Sequence, residues 1–146
     1  EKPSFDADTA LLQEAQALKI VEIKALRNKN LSKSKPTPQS VEYEGNLSNK
    51  SFDLNISRDL PFLQAIRNNL ELKKSNGVSN PKRNWTDSSG DRISLNINDY
   101  NSLINHLLER DEQEHDQAIL KIKAIKKIAT LAEVNNFDIS KYIINE

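Results

Sequence analysis

Glu112 and His115 stand three residues apart. Helices of carboxylate-bridged metal proteins use this Glu-x-x-His spacing to turn both ligands toward one centre. Such a centre needs a second pair of the same kind and two further carboxylates facing the same core. The chain has two histidines, His106 and His115, and one such pair. That pair lies in 109–117, where nearly every residue is polar, so a solvated helix face is the better reading and no metal ligand is assigned. Nucleophilic chemistry finds no better footing. Ser, His and Asp all occur, so counting leaves a triad open, but no serine sits in a nucleophile-elbow sequence. With three glycines there is no Gly-rich phosphate loop, and with no cysteine there is neither a disulfide nor a thiolate. Lys121, Lys123, Lys126 and Lys127 fall on the polar side of an amphipathic helix and read as a solvated face. No catalytic residue, cofactor site or metal site is expected, and the chain is not expected to be an enzyme.

Composition narrows the remaining classes. The 146 residues suffice for one ordinary domain. Lys+Arg and Asp+Glu are 21 each, a balance that argues against a nucleic-acid partner and against a polybasic membrane anchor. No apolar run approaches the ~20 residues needed to span a bilayer. Hydrophobic residues make up 36%, a thin supply for a core, which points to an elongated fold or to a core finished against a partner. The chain starts at Glu1 and has no methionine, which reads as a boundary inside a longer protein, without a signal peptide.

Residues 1–8 read as a linker turning into a helix capped by Asp6 or Asp8. From Thr9 to Asn30 the pattern is helical. Leu11, Ala15, Leu18, Val21 and Ala25 form one apolar stripe, broadened by Leu12, Ile20, Ile23 and Leu26. Pro36 and Pro38 make 31–40 a linker. Val41 and Tyr43 alternate with acids as a strand, Gly45-Asn46 begins a turn, and Phe52 and Leu54 supply the mate. Ser57 or Asp59 caps a second helix, with Pro61 in its first turn and Leu60, Leu63, Ile66 and Leu70 as its stripe. Trp85 sits on a hairpin strand, Ser88-Ser89-Gly90 turns it, and Ile93 and Leu95 return. Asn96 with Asp99, and Thr130 with Glu133, are spaced as capping boxes around a long helix with a polar middle. Phe137, Ile139, Tyr142, Ile143 and Ile144 read as a docked apolar tail.

The fold class expected is α+β: a small antiparallel sheet of three to four short strands packed with helices, with long N-terminal and C-terminal helices. Residues 1–30 form an N-terminal helix that serves as an oligomerisation or docking arm, 31–40 a linker, and 41–146 the α+β domain. Interaction is the function class left standing. Its candidates are Leu11, Leu18 and Val21 on the first helix and Trp85, the lone tryptophan, whose competing role is core packing under the hairpin.

The order of these signals also resembles a known family. Lys19 to Arg27, Tyr43, Gly45, Phe52, Ile66, Trp85, Ile93, Leu95, Asn96, Asp99 and Thr130 to Val134 are similar in order to a small domain of unknown function from tailed-phage and prophage proteins, commonly encoded near tail-fibre genes. The resemblance covers nearly all of the chain from Leu11 onward, and Asp87-Ser88-Ser89-Gly90-Asp91 agrees with its Asp-rich step. It implies a structural or protein-interaction module of a phage tail or tail fibre. The alternative is a tail-fibre assembly chaperone acting transiently, and a small hydrolase or metal enzyme is the least favoured reading. The implied partners are other tail or fibre proteins, or a second copy joined through the N-terminal helix. The implied location is the virion tail, or the host cytoplasm during assembly. The family has no catalytic residues to carry over.

Overall fold

The computed structural model describes residues 2–37 and 50–144, with side chains from Ala7 onward. Its elements run α1 (Lys2–Leu31), β1 (Lys35–Pro36), β2 (Asp53–Leu54), α2 (Ile56–Ser75), β3 (Arg83–Thr86), β4 (Arg92–Leu95), α3 (Ile97–Lys127) and α4 (Leu131–Asn135). The α+β class holds. In place of one sheet of three to four strands, the described residues form two separate antiparallel pairs, β1 with β2 and β3 with β4. The strand expected at Val41 and Tyr43, with its turn at Gly45, lies outside the described residues. The chain divides into two compact units, Leu31–Glu112 and Glu1–Asn30 with Gln113–Glu146. In the second of these, α1 and the second half of α3 contribute to one apolar cluster.

Leu31–Glu112 is built around a cluster to which β2, α2, β4 and α3 all contribute, with Phe52, Leu63, Leu70, Leu95 and Leu103 fully buried. The start of α2 differs from the sequence expectation. Asn55, not Ser57 or Asp59, is the N-cap: its side chain accepts the Arg58 N–H at 2.6 Å. Asp59 serves the reverse bond, accepting the Asn55 N–H at 2.8 Å. The helix therefore begins earlier, and Pro61 falls in its second turn rather than its first. The end of α2 is a Schellman turn. The Val78 N–H reaches the Lys73 carbonyl, the Gly77 N–H reaches that of Lys74, and Gly77 takes the left-handed φ of 95° that the motif demands.

The hairpin forms where expected, and its register sets Trp85 opposite Ile93. Asp87 organises its turn by accepting the Ser89 and Asp91 N–H groups. Asn96 and Asp99 exchange side-chain-to-backbone bonds of 2.9 and 3.0 Å and start α3 as a capping box. The expected linker 31–40 contains a strand: Lys35 pairs with Leu54 and Pro36 with Asp53. The two-residue ladder tolerates Pro36 because an edge position needs no donor from it. Arg110 tethers this sheet to α3, donating to the carbonyls of Leu54 at 3.0 Å and Lys33 at 3.4 Å.

In the other unit, α1 begins at Lys2, so residues 2–8 are helical rather than a linker, and Asp6 and Asp8 lie within the helix instead of capping it. Ile23 is buried with Ala118 and Ile125, and Ile20, Ile122, Ile128, Phe137 and Ile139 pack around them. Gln16 Nε2 donates to the carbonyls of Ile125 and Ile128 at 3.1 Å each, adding to the Ile128 N–H that the Ile125 carbonyl already accepts at 3.2 Å. Thr130 caps α4 as expected by accepting the Glu133 N–H. The polar run 109–117 is continuous helix within α3.

Candidate interaction surface

The apolar residues of α1 fall on two faces, and the structure separates them. Leu12, Ile20 and Leu26 are half-buried beside Ile23, which is 2% exposed. Leu11, Leu18 and Val21 point the other way, at 50%, 61% and 64% exposed. The separation follows from helix geometry. Positions seven apart lie almost in line, so 11, 18 and 25 form a ridge with 21 beside it. Positions 12, 16, 20 and 23 then come round on the side that meets α3. The expected single broad stripe is thus two stripes, and only the second enters the core. Ala15 is half-buried and Ala25 is exposed. At its N-terminal end the outer ridge runs into an open groove of about 350 Å³. Leu11, Leu12, Ala129 and Leu131 supply its apolar wall, with Asp8 and Thr9 at its rim. Glu14 and Lys29 are also exposed on this outer side, one toward each end of the ridge.

Trp85 belongs to the other unit. Its indole is half-buried and packs against the larger core from the hairpin. Its remaining edge lines a shallow groove with Asp53, Arg58 and Thr86.

The titratable groups serve the fold. Arg58 lies 2.8 Å from Asp59, and that hydrogen bond raises the guanidinium pKa above its usual value. Burial pushes the Tyr100 hydroxyl up to about 12, and the hydroxyl donates to the Arg83 carbonyl at 2.9 Å. Burial, helped by the neighbouring charge of Arg110, lowers His106. Hydrogen bonds from Ser140 lower Asp138. Glu112 and His115 are exposed on α3, and among the described residues no three of His, Cys, Asp or Glu gather as a metal site would require. No described helix is long and apolar enough to cross a membrane.

No family model, curated protein or solved structure matches this chain. Function is therefore read from its surface. One polar residue there escaped the sequence reading. Gln117 lies in the run taken as solvated, yet its amide bonds Ile143 in both directions across 26 positions. No local pattern signals such a long-range pairing.

Proposed function

We propose that this chain is a structural, protein-interaction module of a phage or prophage tail or tail fibre, and that it associates through the outer face of α1. The tail setting rests on the order of segments in the sequence. The interaction reading rests on one observation: Leu11, Leu18 and Val21 stay exposed on a helix whose opposite face is buried. Apolar side chains gathered on one helix face, Leu11 and Leu18 in line with Val21 beside them, are the pattern by which helices pair. They cover much less than the ~800 Å² per partner of a standard interface, so the contact extends along the ridge to Ala25 and into the groove beside Leu11.

The occupant is α1 of a second copy, laid antiparallel. That direction brings Glu14 of each helix toward Lys29 of the other, whereas a parallel pair would set like charges side by side. Light scattering on the full chain tests this. A dimer is expected, falling to half that mass in Leu18→Asp with the helical circular dichroism retained. Reversing both charges, Glu14→Lys with Lys29→Glu, should keep the dimer, and either reversal alone should weaken it. A chain that is monomeric at every concentration tried removes the proposal.

A further inference from the structure

The C-terminal segment meets α3 in two different ways. Phe137 and Ile139 pack into the smaller core by their side chains. Asp138 then turns the chain, accepting the Ser140 N–H at 2.9 Å and its hydroxyl at 2.6 Å. After that turn the contact passes to the main chain. The Ile143 N–H donates to Gln117 Oε1 at 2.8 Å, and Gln117 Nε2 donates to the Ile143 carbonyl at 2.8 Å. This pair of bonds is what a neighbouring strand exchanges with one residue of an antiparallel ladder, and it reads backbone rather than side chain.

The side chains on either side contribute little. Tyr142 is 65% exposed and Ile144 86%. The Lys121 ammonium lies 5.9 Å from the centroid of the Tyr142 ring, near the outer limit of cation–π reach. Between the segment and the helix an open groove of about 370 Å³ remains, walled by Gln113, Asp116, Ile119 and Leu120. A tail that existed only to complete a core would bury its large side chains. Beyond Ile139 this one is held by a sequence-tolerant clamp beside an open groove with both polar and apolar walls.

We propose that the 113–120 stretch of α3 is a surface that reads an extended peptide through its backbone, with the chain's own C-terminal segment as a releasable strap and the same segment of a second copy as its occupant in trans. The chemistry of the occupant is visible in the segment already seated there: an extended aromatic–aliphatic–aliphatic run whose middle residue offers both N–H and C=O. Because the strap is tethered, its effective concentration is of millimolar order. It therefore holds the surface in dilute solution and yields it where copies are concentrated, as in an assembly. This inference is independent of the α1 ridge.

A fluorescent peptide spanning residues 137–144, titrated against the full chain, tests it by anisotropy. In Ile143→Pro the protein's own strap lacks the amide that Gln117 accepts from. The peptide should bind this variant about tenfold or more tightly than the unaltered chain, where the strap competes. Adding Gln117→Leu should abolish that gain, and a peptide carrying proline at position 143 should not bind. No gain in Ile143→Pro, or an equal gain with Gln117→Leu present, overturns the proposal. Should Ile143→Pro fail to fold, amide exchange decides. The Ile143 amide should exchange slowly in the unaltered chain and about tenfold or more faster in Gln117→Leu, with the amides of α3 unchanged. An Ile143 amide already exchanging at the rate of a free peptide refutes the strap.

Discussion

Leu31–Glu112 and the unit made by the chain ends solve the same problem with unequal means. Among the described residues, the first closes around eleven buried side chains drawn from strands, helices and the segments between them. The second has three buried residues in its cluster, Ile23, Ala118 and Ile125, ringed by half-buried neighbours. It makes up the difference with long side-chain amides: Gln16 on the end of α3 and Gln117 on the tail. It also leaves Leu11, Leu18, Val21 and Ile119 in water. Apolar surface that a unit does not bury in itself is available to a partner. The larger unit also leaves Phe62 and Leu72 exposed, at 60% and 59%, so the contrast between the two lies in the size of the core.

Core truncation is the strongest way to break that contrast. Leu103→Ala removes a fully buried side chain from the larger cluster and should cost about 2–5 kcal/mol. Trp85, the sole tryptophan, packs on that cluster and reports its unfolding by fluorescence. Ile125→Ala in the smaller cluster should lower the thermal stability seen by helical circular dichroism and leave the Trp85 transition in place. If both variants shift the Trp85 transition equally, the two clusters unfold as one and the contrast fails. A smaller effect comes from Tyr100→Phe, which keeps the ring and deletes the hydroxyl bonded to the Arg83 carbonyl. It should cost about 1 kcal/mol, read as a lower urea midpoint of the Trp85 signal.

Much of this was legible because it is local. The Asn96–Asp99 and Thr130–Glu133 boxes and the Trp85–Ile93 hairpin are set within a few residues of sequence. The two faces of α1 could not be ranked in advance. Leu11, Leu18 and Val21 match Leu12, Ile20 and Ile23 in apolar character, and only Ala118 and Ile125, about a hundred positions away, decide between them. β1 was unreadable for a similar reason. Lys35-Pro36 carries no strand signal, and its pairing with Asp53-Leu54 is tertiary. Of the candidate surface, the residues were in view but their exposure was not. Asn55 was missed as a cap because two good capping residues, Ser57 and Asp59, follow it closely.

The smallest expected effect is a pH dependence. His106 lies on the part of α3 within the larger unit, and its folded pKa is below the usual value. Its unfolded pKa is about 6.5, so the unfolded chain binds the proton more readily. The His106 contribution is therefore present above that pH and is lost as pH falls through it. Urea midpoints at pH 7.5 and 5.5 should differ less in His106→Gln than in the unaltered chain. An identical difference would release His106 from this role.

Arg110 carries a consequence for the order of events during synthesis. It reaches back 56 positions to the Leu54 carbonyl and 77 to that of Lys33. Its guanidinium clasps a ladder only two residues long on each strand. Contacts so distant in sequence form late, after the intervening loops have closed. On the ribosome, the strands emerge well before the residue that fastens them, and this small sheet stays unfastened until α3 has been made past its first few turns.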